Sequence, residues 1–130
     1  MIGVITRKSI LVKNFLKLPA EIKEDLSRVR GYQVYPQYQY VGRYNSRHGL
    51  LKSSPLANPF KLKNGIRRER VIEQYSHWLN DKILRSDPVV TKELERLKGI
   101  YRERGELHLV CWCSPLVCHG DIVKHYLEMK

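Results

Sequence analysis

The last quarter of the chain constrains the fold most. Leu107 to Val110 is a short apolar run, the pattern of a strand buried on both faces. It leads into Cys111-Trp112-Cys113-Ser114-Pro115-Leu116-Val117-Cys118-His119-Gly120-Asp121. A helical pattern follows, in which Ile122, Val123, Tyr126 and Leu127 face inward. This predicts a strand over residues 106–113 and a final helix starting near Gly120-Asp121. Reactive side chains at such a strand-to-helix junction sit where an α/β protein usually holds its ligand.

The rest of the chain repeats the alternation. Residues 2–12 read as a strand, and a helix starts at Pro19 with acids in its first turn. Ile22, Leu26 and Val29 lie on its inner face, and Gly31 can end it. Tyr38-Gln39-Tyr40-Val41-Gly42 reads as a second strand, and residues 43–65 as a loop long enough to be functional or mobile. Residues 67–84 give the strongest helix, with Val71, Ile72, Tyr75, Trp78, Leu79 and Ile83 along one face. A further helix opens at Ser86-Asp87-Pro88, turns Val90, Leu94 and Leu97 inward, and closes at Gly99 or Gly105. This order predicts an α/β fold: a small Rossmann-like three-layer sandwich with a mostly parallel sheet. Residues 38–130 form its core, with 1–37 as an N-terminal extension packed on it.

Charge and cysteine usage narrow the function. The 130 residues carry 24 Lys and Arg against 13 Asp and Glu, a net charge of +11. Residues 31–66 hold Arg43, Arg47, Lys52, Lys61 and Lys63 and no acid. Such a field attracts phosphate, free or polymeric. Three closely spaced cysteines do not make a disulfide framework and point to a reducing compartment. No apolar run is long enough for a membrane span, and residues 1–12 lack a signal-peptide core. A cytoplasmic protein without a membrane partner is expected.

Three motifs carry candidate chemistry. In Val41-Gly42-Arg43, glycine lets the backbone turn or a ligand approach, and arginine offers a fork for phosphate or carboxylate. The bland alternative is a turn glycine and a surface arginine. In Ser53-Ser54-Pro55-Leu56-Ala57-Asn58-Pro59-Phe60, each proline restricts the residue before it. Ser54 and Asn58 are thereby held where they can meet a sugar or a base, or simply stiffen a turn.

The cysteine-rich segment admits three readings. As a zinc set, Cys111, Cys113, Cys118 and His119 have poor spacing: alternate strand residues face opposite ways, and adjacent Cys118 and His119 are awkward partners for one ion. As reactive groups, Cys118 stands before a helix N-terminus with His119 or His108 as base. The favoured reading is structural, a helix cap with Asp121 in the first turn and backbone N–H groups open to an anion. The tyrosines at 32, 35, 38, 40 and 44 could stack bases, though strand packing accounts for most of them.

Taken together, Tyr40-Val41-Gly42-Arg43, Ser54-Pro55-Leu56-Ala57-Asn58-Pro59-Phe60, the helix at 71–79, and Cys111-Trp112-Cys113 with Pro115 and Cys118-His119-Gly120-Asp121 resemble a bacterial and phage family known as domain of unknown function 4326. The resemblance covers about residues 38–128. It implies a compact α/β domain and supplies no activity. It groups Gly42, Arg43, Ser54, Asn58, Cys113, Cys118, His119 and Asp121 as one set.

The leading expectation is a domain that binds an anionic small molecule, above all a nucleotide. Arg43 and the backbone at His119, Gly120 and Asp121 would hold phosphate; Gly42, Ser54, Asn58 and Cys113 would complete the ligand site. Cys118, His119 and Asp121 would do any acid–base or nucleophilic work. An enzyme of this kind would be a hydrolase or transferase at a nucleotide's phosphate or glycosidic bond. No metal ligand and no cofactor is assigned. The alternatives are a nucleic-acid-binding module, using Arg67, Arg68 and Arg70 as well, and a metal-stabilised structural or interaction protein.

Overall fold

The central strand of the sheet is Glu106–Cys111 (β3), and every residue after Glu106 in it is buried. Apolar side chains that cannot face water on either side need cover on both, and two clusters provide it. Leu107, Leu109 and Cys111 point into the larger one; Val110 points into the smaller. The computed structural model describes residues 9–27, 33–45, 51–60, 65–112 and 118–129.

Two strands flank β3, and both run parallel to it. Ser9–Asn14 (β1) pairs along its whole length, from Ser9 opposite Glu106 to Asn14 opposite Cys111. Tyr38–Tyr40 (β2) pairs on the other side, Tyr38 opposite His108 and Tyr40 opposite Val110. The spatial order is β1-β3-β2. The N-terminal strand is therefore part of the sheet that carries the cysteine-rich junction.

One face of the sheet is covered by Arg68–Leu84 (α2), Pro88–Arg104 (α3) and His119–Glu128 (α4). Val71, Tyr75 and Leu79 of α2 recur at four-residue spacing and are buried, as are Val90, Leu94 and Leu97 of α3 and Val123 and Leu127 of α4. The other face meets one turn of 3-10 helix at Phe15–Lys17 and the helix Ala20–Leu26 (α1). Phe15, Leu18, Ile22, Leu51 and Val110 form the core there, with Tyr35, Tyr38, Tyr40 and Trp112 packed against it. The result is the mixed α/β, three-layer arrangement around a parallel sheet that the alternation predicts.

The element boundaries move for local reasons. The first strand, described from Ser9, runs past Val12 to Asn14, whose side chain then caps the 3-10 turn by accepting from the Leu16 amide at 2.9 Å. Residues 1–8 lie outside the described residues, and so do Gly31 and the end expected for the first helix. That helix closes at Leu26, where the Ser27 amide bonds back to the carbonyls of Lys23 and Glu24. β2 stops at Tyr40 because the Gly42 carbonyl turns away to accept the Ser54 amide at 2.9 Å. Asp87 caps α3 through the Val90 amide. Gly105, not Gly99, closes it, with a left-handed φ of 76°. β3 ends at Cys111, short of Cys113, and α4 begins one residue before Gly120.

The long loop is anchored. Asn45 and Leu51 form an antiparallel bridge, and Leu51 and Leu56 are completely buried. The hydroxyl of Tyr75 donates to the Leu56 carbonyl at 2.6 Å. Burial pushes that phenol well above its ordinary range, so it remains a donor.

Asp25 ties α1 to the chain entering β2. Its buried carboxylate accepts the amides of Val34 and Tyr35 at 2.8 and 2.9 Å. Asp25→Ala would strand both donors, and hydrogen bonds to a charged acceptor are individually strong. Urea denaturation is expected to show a loss of about 3 kcal/mol or more.

Candidate functional site

Parallel pairing puts the carboxyl ends of β2 and β3 side by side, and a cleft of about 290 Å³ opens there. Tyr40, Gly42, Arg43, Tyr44 and Asn45 line it from the end of β2, and Trp112 from the end of β3. Asn58 and Phe60 come from the proline-framed loop, Arg68, Val71 and Ile72 from the first turns of α2, and Cys118 and His119 from the start of α4.

Five expected site residues meet there: Gly42, Arg43, Asn58, Cys118 and His119. Ser54, Gly120 and Asp121 do not line the cleft. Cys113 lies outside the described residues.

Gly42 is buried, and the reason is Tyr40. A Cβ at Gly42 would stand 2.5 Å from the Cζ and 2.8 Å from the Cε1 of that ring. The ring is held at both ends of a short relay. Trp112 Nε1 donates to the Tyr40 hydroxyl at 2.8 Å, and that hydroxyl donates to the Arg43 carbonyl at 2.5 Å. Burial raises the phenol's pKa, which keeps it protonated for this second bond. The Arg43 backbone is thus fixed while its side chain remains exposed.

In the proline-framed loop, the Ser54 hydroxyl accepts the Leu56 amide at 3.0 Å and the Asn58 Oδ1 accepts the Phe60 amide at 2.9 Å. Ser54 is spent on its own turn. Asn58 is spent only on its oxygen side, so what it can offer a ligand is the pair of N–H donors on Nδ2.

His119 is buried and its Nε2 lies 2.6 Å from the Val41 carbonyl. A carbonyl only accepts, so Nε2 carries the proton and Nδ1 holds the lone pair of the neutral ring. Burial, helped by the nearby charge of Arg43, keeps the imidazolium below its ordinary pKa against the opposing pull of the Val41 carbonyl and Asp121. The ring also stands edge-on to Tyr75, 5.2 Å between centres. At neutral pH it can accept a hydrogen bond or a proton at Nδ1.

Asp121 sits at the third position of α4 and reaches back to accept the Cys118 amide at 2.9 Å. Its negative charge stands in the first turn, against the positive end of this helix. Gly120 serves packing: a Cβ there would come within 3.1 Å of Val12 on β1. The cleft also carries cationic side chains. Arg43 and Arg68 both line it, and among the described residues neither is ion-paired and no Asp or Glu lines the cleft.

Arg68 belongs to this wall because residues three and four apart share a helix face: Arg68, Val71, Ile72 and Tyr75 form one row. Trp112 follows Val110 on the same face of the strand line. Both relations are legible in the spacing once the cleft is located, but the sequence alone does not set the start of α2 against it. Among the described residues, no group of three His, Cys, Asp or Glu side chains could hold a metal ion. None of the helices is long and apolar enough to cross a membrane.

These features define a mixed α/β protein with a basic, aromatic cleft at the carboxyl edge of a parallel sheet. The chain belongs to the family described as Domain of unknown function (DUF4326), whose model matches residues 25–129. That match takes in α1's end and the segment entering β2, upstream of the motifs that carry the resemblance. No curated protein and no solved structure matches the chain.

Two experiments probe the site's framework. Gly42→Ala is expected to cost about 1–3 kcal/mol by forcing the Tyr40 ring aside. In a Tyr40→Ala background the same change should cost far less, so a double-mutant cycle reads the coupling. For His119, the folded state disfavours the protonated ring, so the unfolded chain binds more protons below its ordinary pKa of about 6.5. Stability contributed by the neutral ring is thus present above that value and falls as the pH drops from it toward the lower folded pKa. His119→Gln, which keeps a donor for Val41, should flatten that part of a melting-temperature profile.

Proposed function

We propose that the protein binds a nucleotide or a closely similar phosphate-bearing ligand in this cleft. The observation that supports it most is the pairing of two arginines, free of carboxylate partners among the described residues, with an aromatic wall of Tyr40, Tyr44, Phe60 and Trp112. Guanidinium forks suit phosphate oxygens, and ring faces suit a base. Arg43 and Arg68 hold the phosphate, Asn58 donates to the sugar or base, and His119 accepts at Nδ1. If the bound molecule is turned over, hydrolysis or group transfer at the phosphate or glycosidic bond is the matching class, with His119 Nδ1 as the base.

A nucleic-acid surface centred on the start of α2 is less well supported. Arg67 and Arg70 there are interspersed with Glu69 and Glu73, and Arg70 pairs with Glu73 at 3.4 Å. Such a mixed surface is a weak phosphate track.

Isothermal titration with mono-, di- and triphosphate nucleotides tests the reading. Binding is expected for at least one of them. Arg43→Ala and Arg68→Ala should each weaken it about tenfold or more, a loss of about 1.4 kcal/mol, with the melting temperature unchanged. Folded protein that binds none of the panel rejects the proposal. Capture of DNA or RNA that collapses between low and moderate salt would assign the basic residues to a polymer.

A further inference from the structure

Cys111 is the last residue of β3, and Cys118 is the residue that caps α4. Their side chains are both buried, and their sulfur atoms lie 3.3 Å apart. Gly120 leaves room beside the pair: a Cβ there would stand 3.1 Å from Val12 and 3.3 Å from the Cys118 sulfur. A disulfide needs about 2.05 Å between sulfurs, so the pair must close by a little over 1 Å. Both residues stand at the ends of elements, where a small backbone adjustment is easiest. Cys118 also lines the cleft, the side from which a small oxidant would approach the pair.

We infer that Cys111 and Cys118 form a modification site: a dithiol that closes to an intramolecular disulfide under peroxide and reopens with a thiol reductant. The reaction balances in two steps. The Cys118 sulfur, as thiolate, attacks one peroxide oxygen; the O–O bond breaks, the sulfur becomes a sulfenic acid, and the leaving hydroxide takes up a proton as water. The Cys111 sulfur then displaces the sulfenic hydroxyl as a second water, giving the S–S bond. Two thiols are oxidised by two electrons and one hydrogen peroxide is reduced to two waters. The bridge would join the end of the central strand to the first residue of the cleft's α4 wall. This inference does not depend on which ligand the cleft takes.

Intact-mass measurement of the folded protein after hydrogen peroxide tests it. The expected result is a loss of two hydrogen atoms, restored by dithiothreitol, in the unmodified protein and in Cys113→Ser. Oxygen addition without that loss, or loss that vanishes in Cys113→Ser, overturns it. Should Cys113→Ser fold poorly, fragment-ion mapping of the oxidised unmodified chain decides instead. A bridge between 111 and 118 supports the inference, and one involving Cys113 refutes it.

Discussion

Everything in this molecule hangs on β3 being enclosed. It is paired on both edges by parallel strands and covered on both faces, with helices on two sides. Parallel pairing then places two strand ends together, and the segments leaving them, Val41-Gly42-Arg43 and Cys111-Trp112, become neighbours. The Val41 amide bonds the Val110 carbonyl just where the ladder gives out. The cleft is the gap left where the two chains part.

The same enclosure sets which side chains can afford to be polar. His108 lies within β3 yet is buried; it stacks on Tyr38 at 4.2 Å and meets Glu106 at 3.1 Å. Gln39, opposite Leu109, is buried as well and accepts from Arg96 on α3 at 2.8 Å. Gln39 thus ties the sheet to α3, and His108 links β2 to β3. His119, beside the cleft, joins α4 to the end of β2.

Much of the architecture could be read beforehand because its causes are local. Helical spacing at Val71, Tyr75 and Leu79, the Asp87 cap and the apolar run of β3 each report on a few neighbouring residues. The convergence of Arg43, Asn58 and His119 could be anticipated only in outline, since it depends on strand order. What stayed open were the roles of particular atoms. Ser54 and Asp121 each admit a ligand-contacting and a structural reading; in the fold the Ser54 hydroxyl braces its own turn and the Asp121 carboxylate caps α4. A side-chain oxygen has the same appearance in sequence whether its partner is a ligand or the backbone two or three residues away. Arg68 escaped for the opposite reason: among several arginines at a helix start, the backbone's rotation alone selects which one faces inward.

The Asp121 cap has a consequence for how the family could diversify. The Asp121 carboxylate already accepts the amide of the residue that caps α4. The positive charge of the cleft stands on side chains: Arg43, in the loop beyond β2, and Arg68, on the opening turn of α2. Neither side chain belongs to the buried core. Exchange of either arginine would change the charge of the cleft while keeping the same sheet, caps and turns.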